Sequence, residues 1–213
     1  MTDLELTRLL AGRAPGIMGA RSCCGILVPL VRRQDGLHLL YELRASTLHS
    51  QPSEVCFPGG RAEPGETPLD CALRETFEEL GIDPQHIRVL GPLDFVPQRS
   101  GRVLYPFLAF IEPEGFEAIS PNPEEVDRVF TVPLSQLSNI EPTPYRYNLT
   151  PTNTADFPYE LANLRRDYPW SVGVEEGVIY RWQEFAIWGL TGRITRHVLD
   201  LIQESGVQPN GTY

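Results

Sequence analysis

The feature that most constrains this chain is the segment GRAEPGETPLDCALRETFEELGI at residues 60–82. Thr67 is a suitable helix N-cap, and Pro68 suits the first helical position, where the N–H that proline lacks would have no partner. Gly81 suits the left-handed residue that commonly ends a helix. The segment therefore predicts a helix over about Pro68–Leu80.

The predicted helix has an acidic and an apolar face when its residues are placed about 100° apart. Glu75, Glu78 and Glu79 fall on one arc, with Cys71 among them as a small spacer. Carboxylates three or four residues apart repel each other by roughly a few tenths of a kcal/mol. A hard divalent cation, Mg²⁺ or Mn²⁺, would remove this conflict because it prefers oxygen ligands. The opposite arc is expected to pack on a core and comprises Leu69, Leu73, Thr76, Phe77 and Leu80.

The carboxylates of this segment can be given roles from their positions. Glu75 and Glu79 lie one turn apart and are the predicted direct metal ligands. Glu78 is either a further ligand or the base for an attacking water, and Glu66, in the loop before the helix, either ligates or orients. The pair Gly59–Gly60 lets the backbone turn where a side chain would block a metal and phosphates.

The spacing of this segment resembles the Nudix box, G-x5-E-x7-R-E-U-x-E-E-x-G-U, where U is a bulky apolar residue. The resemblance implies a metal-dependent hydrolase of a diphosphate joined to another group. It implies a mixed sheet between helices, an α/β/α sandwich, with Gly60 at the metal site. It also implies that Arg74 orients a glutamate, and that a loop acid, Glu124 or Glu125, is an alternative base. The matching positions are Gly60, Glu66, Arg74, Glu75, Glu78, Glu79 and Gly81.

The segment before the box, LLYELRASTLHSQPSEVCFPGG at residues 39–60, resembles coenzyme A diphosphatases. That family pattern is L-L-x-x-R-S-x-x-L-x-x-H-x-G-E-V-x-F-P-G-G, and Ala45, Gln51 and Ser53 depart from it. The resemblance implies hydrolysis of coenzyme A or an acyl-CoA to adenosine 3′,5′-bisphosphate and 4′-phosphopantetheine or its acyl form. The candidate substrate-binding residues are Arg44, Arg61, Gly59 and Gln51, with Arg99 a further candidate by position.

Two other functions stay open at this point. The first is a Nudix hydrolase of another nucleotide, such as ADP-ribose, NADH or a dinucleoside polyphosphate, because the histidine and glycine of the coenzyme A pattern are replaced by Gln51 and Ser53. The second is a non-catalytic nucleotide-binding module, which an eroded box would support. A pocket for the adenosine 3′-phosphate would favour coenzyme A.

The composition limits the partners of the chain. With 213 residues and a formal net charge of −10, it is expected to form one domain without the basic patch that nucleic acid requires. Its four cysteines have no metal-ligand spacing and predict reduced thiols in a cytoplasmic protein. Neither a signal peptide nor an apolar run that would span a membrane is recognisable. A small-molecule substrate is the expected partner, and a homodimer is left open.

The rest of the chain alternates between strand and helix patterns. An N-terminal amphipathic helix with Leu4, Leu6, Leu9 and Leu10 is expected to pack on the domain. The segment 141–170 is rich in proline and aromatic residues and is predicted to be an irregular but ordered flap over the substrate pocket. The tail, about 205–213, is expected to be loose. The predicted strands are 23–31, 37–44, 54–57, 87–96, 103–111, 124–132, 178–182 and 185–188, and a last helix is predicted at 190–203.

Overall fold

The computed structural model describes residues 2–152 and 154–206. Most of the tail predicted at 205–213 therefore lies outside the described residues. No helix in the described part of the chain is long and apolar enough to cross a membrane. The helices are Asp3–Leu10 (α1), Pro68–Leu80 (α2), Pro113–Glu117 (α3), Leu134–Leu137 (α4) and Gly189–Glu204 (α5).

The centre of the molecule is an eight-stranded sheet with a main strand order of β3-β2-β1-β7-β5. Strand β4 pairs with β1, β6 with β7 and β8 with β2. A separate three-stranded sheet has the order β11-β10-β9. The strands are Ser22–Arg33 (β1), Gly36–Arg44 (β2), Val55–Cys56 (β3), Gly59–Arg61 (β4), Ile87–Pro92 (β5), Val96–Pro97 (β6), Arg102–Ile111 (β7), Val126–Pro133 (β8), Thr143–Leu149 (β9), Gly173–Trp182 (β10) and Phe185–Ile187 (β11).

The large sheet is mixed, as predicted. Strands β1 and β7 run parallel over ten residue pairs, from Ser22↔Arg102 to Val31↔Ile111. The other described pairings of this sheet are antiparallel. The single strand predicted at 87–96 is divided in the structure into β5 and β6.

Each face of the large sheet buries its own core. On one face α2 contributes Ala72 and Leu80 to a cluster with Leu27, Leu40 and Ile111. On the other face α5 and the three-stranded sheet cover the strands, which confirms the α/β/α class. The residues of this second cluster include Val28, Leu39, Tyr41, Phe57, Tyr180, Ile187, Ile194 and Val198.

Helix α2 has the predicted bounds, but it is rotated from the predicted orientation. The Thr67 side chain accepts a hydrogen bond from the Asp70 N–H, and Gly81 ends the helix in the left-handed conformation. Phe77, predicted to pack on the core, is 51% exposed. The buried face instead includes Glu79, because its carboxylate has a partner inside the fold.

Helix α1 forms where the leucine pattern predicts it, but the prediction that it packs on the domain is wrong. None of its residues is buried, and Leu9 is 69% exposed. Thr2 caps the helix through a reciprocal capping box with Glu5. Local capping therefore accounts for this helix without tertiary contacts.

The segment predicted as an irregular flap contains regular structure. Residues 143–149 form β9, which pairs antiparallel with β10 over seven residue pairs. Strand β10 accordingly begins at Gly173, ahead of the predicted 178. Beyond β9, the aromatic rings contact one another edge-on, in a cluster of Phe157, Tyr159, Tyr168 and Trp170.

Candidate active site

At the turn before the site, the backbone of β4 lies close to a carboxylate of α2. Strand β4 pairs with the N-terminal half of β1, with Gly60 opposite Gly25. A Cβ atom on Gly60 would overlap the carboxyl group of Glu75. Glycine at position 60 therefore lets the Glu75 carboxyl group lie against this strand, and a larger residue would displace that side chain.

Arg74 gathers three of the predicted site carboxylates. Its Nε and Nη2 atoms donate to the two oxygens of Glu66 at 2.9 and 3.1 Å. Nη1 donates to Glu78 at 2.8 Å, and Nη2 lies 2.9 Å from Glu75 Oε1. Bonding to Arg74 is the largest cause that lowers the pKa of Glu66. These contacts place the Arg74 guanidinium between three acids, and its orienting role in catalysis stays a prediction.

Glu79 lies on the inner side of the same helix. It is 4% exposed, and its Oε2 accepts the Gly59 N–H at 2.9 Å. Burial raises the pKa of Glu79 well above its ordinary value, with the charge of Glu42 as the next cause. A buried carboxylate with one neutral donor has not been compensated for its lost hydration.

Sequence reasoning missed Glu42, a further carboxylate at the site. On β2, Leu40 faces the cluster under α2 and Tyr41 faces the opposite cluster, so alternation directs Glu42 towards α2. Glu42 is 0% exposed, its Oε1 accepts from the Cys56 thiol at 3.0 Å, and its Oε2 has no hydrogen-bond partner among the described residues. A charged residue in an otherwise apolar buried strand was the available signal.

Four carboxylates interact at this point. Burial raises the pKa values of Glu42 and Glu79. The charge of Glu42 raises the pKa of Glu79 further, and the charge of Glu125 raises both. Glu75 also has a raised pKa, mainly from burial. Glu125 lies just before β8, and its carbonyl accepts the Ala45 N–H at 2.8 Å. This excess of negative charge is the environment that a divalent cation would neutralise.

The donor set fits a hard metal ion in its chemistry. All side-chain donors are carboxylate oxygens, which Mg²⁺ and Mn²⁺ prefer, and one of them, Glu42 Oε2, is buried without a partner in the part of the chain that the structure describes. Among the described residues, no three acidic, histidine or cysteine side chains converge as ligands, and Arg74 holds Glu66, Glu75 and Glu78. Ligation therefore requires these side chains to turn from the arginine towards the ion.

Cys71 is a buried spacer on this helix rather than a reactive thiol. Its Sγ donates to the Gly60 carbonyl oxygen at 3.3 Å. Burial raises its pKa, so the nucleophilic thiolate is disfavoured.

A cavity of about 1030 Å³ opens beside this acidic edge. It begins at Gly59 and Gly60, which contact Glu79 and Glu75, and it extends to β7, β9 and the start of α5. The volume is large enough for a nucleotide-sized ligand, since ligand pockets measure roughly 300–1,000 Å³. The predicted substrate-binding residues and Arg99 all line it, with aromatic side chains from the small sheet and from Trp188, the residue before α5. The lining includes Arg44, Gln51, Gly59, Gly60, Arg61, Arg99, Arg102, Tyr145, Tyr147, Trp188 and Arg193.

The loop at the mouth of this cavity departs from the coenzyme A pattern at two strained positions. Gln51 and Ser53 have φ angles of 53° and 58°. The Gln51 amide donates to Glu54 at 3.1 Å. Arg44 donates to the Ser50 carbonyl at 3.4 Å, while its buried Nε has no partner within residues 2–152 and 154–206.

The fold and this site together define a hydrolase of diphosphate bonds, and comparison with known proteins agrees. A model of the NUDIX domain matches residues 25–152. The chain therefore belongs to the Nudix family, and it is a Nudix hydrolase. Nudix hydrolases generally need divalent metal ions.

Two relatives match over most of their length. The chain is 30% identical over 209 residues to Nudix hydrolase 3 of Caenorhabditis elegans, covering 93% of this chain and 82% of the relative. It is 31% identical over 209 residues to the human mitochondrial coenzyme A diphosphatase NUDT8, covering 97% and 80%. A crystal structure of a MutT/nudix family protein from Enterococcus faecalis aligns with a TM-score of 0.49 and 17% identity, covering 99% of this chain and 73% of that one.

Proposed function

We propose that this Nudix hydrolase cleaves the diphosphate of coenzyme A or an acyl-CoA. Water adds across the P–O–P bridge and yields adenosine 3′,5′-bisphosphate and 4′-phosphopantetheine or its acyl form. The observation that carries the proposal is the cavity, which joins the box glycines to the segment that resembles coenzyme A diphosphatases. A relative named coenzyme A diphosphatase, aligned over 97% of the chain, supports it.

The proposed metal site uses the acidic edge of α2. Glu75 and Glu79 would hold Mg²⁺ or Mn²⁺, with Glu78, Glu66 and the backbone at Gly60 as the other candidates. A bound ion would neutralise charge on the diphosphate oxygens and lower the pKa of a water. Arg74 would keep the unused carboxylates oriented.

The proposed base is Glu78 or Glu125. Glu78 is half exposed, with 49% of its side chain accessible, so its carboxylate can reach water at the mouth of the site. Glu125 is half-buried next to the other acids and its charge raises their pKa values. The single substitutions Glu78→Gln and Glu125→Gln separate the two. Loss of the base should lower kcat by about 100-fold or more with little effect on KM, and loss of the other acid should not.

The substrate would lie along the cavity from the box outwards. Gly59 and Arg61 are proposed to meet the diphosphate, because they are adjacent in sequence to the box glycine. Arg44 and Gln51 are proposed to contact the remainder of the substrate. Because the buried Nε of Arg44 has no partner among the residues that the structure describes, a ligand acceptor there would satisfy an otherwise costly donor.

A product assay tests the proposal. The protein is incubated with Mg²⁺ or Mn²⁺ and with coenzyme A, acetyl-CoA, ADP-ribose, NADH or diadenosine polyphosphates, and the products are separated. Metal-dependent release of adenosine 3′,5′-bisphosphate from coenzyme A, well above AMP release from the other substrates, is the expected result. Activity confined to ADP-ribose or dinucleotides would favour the second candidate, a Nudix hydrolase of another nucleotide. The replacements at Gln51 and Ser53 support that candidate. No turnover of any substrate would favour the binding module.

The cellular location and the assembly of the enzyme are also proposals. Cytoplasmic location rests on the free cysteines of the described residues, whereas the human relative is named mitochondrial. The acidic chain is proposed to bind no nucleic acid, and a homodimer is left open. Fractionation and sedimentation would test location and assembly.

A further inference from the structure

The cavity beside the box is locally basic although the chain has a net charge of −10. Among the described residues that line it, two have carboxylate side chains, Glu54 and Glu175. An anionic substrate approaching an acidic protein needs such a local reversal of sign. The lining arginines are Arg44, Arg61, Arg99, Arg102 and Arg193.

Two of these arginines have partners within the protein. Arg193 forms an ion pair with Glu175 at 3.2 Å, and Arg44 donates to the Ser50 carbonyl. The guanidinium groups of Arg61, Arg99 and Arg102 form neither an ion pair nor a hydrogen bond with any residue that the structure describes. These three positive charges are available to a ligand.

Arg61 and Arg102 lie on the same face of the large sheet. On β1, Cys24 pairs with Arg61 and Ser22 pairs with Arg102, and residues two apart on a strand share a face. The two arginines flank β1 and are offset by two residues along it, so their backbones are about 12 Å apart. Burial raises the pKa of the Cys24 thiol, and the charges of both arginines oppose that rise, which places both near this point.

Arg99 reaches the same region from the turn between β6 and β7. Its guanidinium rests on Gly173 at the start of β10, where a Cβ atom would overlap Nη2. Gly173 pairs with Leu149 of β9, which also lines the cavity. Arg99 thus spans the cleft between the two sheets, above the end that Arg102 occupies.

We propose that Arg99 and Arg102 form a subsite for a phosphomonoester on the nucleotide half of the substrate, in the proposed function the adenosine 3′-phosphate. Arg61, next to the box, then faces the diphosphate. The distance between Arg61 and Arg102 across β1 is on the scale of one nucleotide. The diphosphate and the phosphomonoester of a single substrate can therefore be bound at once. The identity of the nucleotide rests on the proposed function, whereas the phosphomonoester subsite itself does not.

The subsite discriminates by charge. A phosphomonoester is close to a dianion at neutral pH, and two guanidinium groups can each donate paired N–H bonds to its oxygens. AMP and ADP-ribose have no phosphate at this end, so both arginines would stay unused. The enzyme should therefore prefer coenzyme A to 3′-dephospho-coenzyme A, and the preference should depend on these arginines.

The kinetic test compares the two substrates in matched variants. In Arg102→Gln and Arg99→Gln, KM for coenzyme A should rise about tenfold, as expected for loss of a charge-assisted bond, while KM for 3′-dephospho-coenzyme A changes less than twofold. Gly173→Ala should act in the same direction as Arg99→Gln, because the added methyl group displaces the Arg99 guanidinium. Arg13→Gln, an exposed site outside the cavity, is the control. Equal effects on both substrates, or no effect on either, would overturn the subsite.

Binding without turnover separates this inference from the proposed function. Calorimetry without metal should show that adenosine 3′,5′-bisphosphate binds about tenfold more tightly than AMP, and that Arg102→Gln removes the difference. Inorganic phosphate alone should compete only weakly, since it lacks the nucleoside. If neither substrate is hydrolysed but this binding difference is present, the proposed function fails and the subsite stands. If binding of the two nucleotides is equal, the subsite is wrong whatever the activity.

Discussion

At the scale of single residues, the loop before the box holds a backbone conformation that its sequence does not favour. Ser53 has a φ angle of 58° and is exposed. A side chain in the left-handed region costs roughly 1–2 kcal/mol, of which glycine would recover part. We expect Ser53→Gly to raise the free energy of unfolding by about 0.5–1 kcal/mol, measured by urea denaturation. Ser50→Gly, at a neighbouring exposed position without positive φ, should lower it; equal effects would contradict the explanation.

Glu42 makes a residue-scale prediction about pH. Burial raises its pKa above the ordinary 4.5, so above that pH the folded protein retains a proton that the unfolded chain has lost. The free energy of unfolding therefore falls as the pH rises through this window. Each unit of pKa shift corresponds to about 1.4 kcal/mol. With EDTA present, Glu42→Gln should be more stable than the parent by about 1–3 kcal/mol at pH 8.

The comparison that checks this prediction is urea unfolding at pH 5 and pH 8. At pH 5 the carboxyl group of Glu42 is largely neutral, so the glutamine variant should show little advantage there. Glu114→Gln, an exposed acid on α3, should follow the parent at both values. An advantage for Glu42→Gln that does not change with pH would point to packing rather than to the buried charge.

At the scale of elements, α1 depends on its own caps rather than on the domain. Its leucines are exposed, and the described residues 2–16 are exposed throughout. A chain shortened to begin at residue 14 should keep its free energy of unfolding within about 0.5 kcal/mol, the range for surface changes away from contacts. Urea denaturation checks this. A loss of more than about 2 kcal/mol would require contacts of the kind made by buried side chains.

The two helices show what local sequence can and cannot predict. The ends of α2 were predicted correctly because Thr67, Pro68 and Gly81 act on the backbone beside them. Its orientation was predicted wrongly, because the bond from the Gly59 N–H to Glu79 joins residues brought together only by the fold. A leucine pattern likewise predicted α1 but could not predict whether a surface would cover it.

The strands show the same limit. Strand β9 was missed because Pro144 and its neighbours indicated an irregular segment, whereas β9 lies at the edge of its sheet, where a missing N–H is tolerated. The positions of Glu42 near the acidic edge and of Arg102 in the cavity lining were not predicted, because they depend on strand pairing. The box predicted the carboxylates of α2, but the arginines on the other side of the cavity belong to other parts of the chain, which only the fold brings near the box.

At the scale of the whole molecule, the site lies where the two halves of the fold converge. Helix α2 supplies carboxylates from one face of the large sheet, while β9, β10 and α5 close the cavity from the other. Negative charge is concentrated under α2 and positive charge across the cleft. In the proposed function, this separation would let an acidic protein hold cations at one end of a substrate and bind its anionic groups at the other.

The same charge distribution predicts that metal binding stabilises the whole fold. An ion that binds the folded state alone adds about 2.7 kcal/mol to the free energy of unfolding at 100 times its dissociation constant. Because burial raises the pKa of Glu79, protons compete with the metal, and the stabilisation should grow as the pH rises. Urea unfolding with Mn²⁺ or with EDTA, at pH 6.5 and 8.5, measures it. Glu79→Gln should lose most of the gain while Glu114→Gln retains it; if both variants gain equally, the ion binds elsewhere.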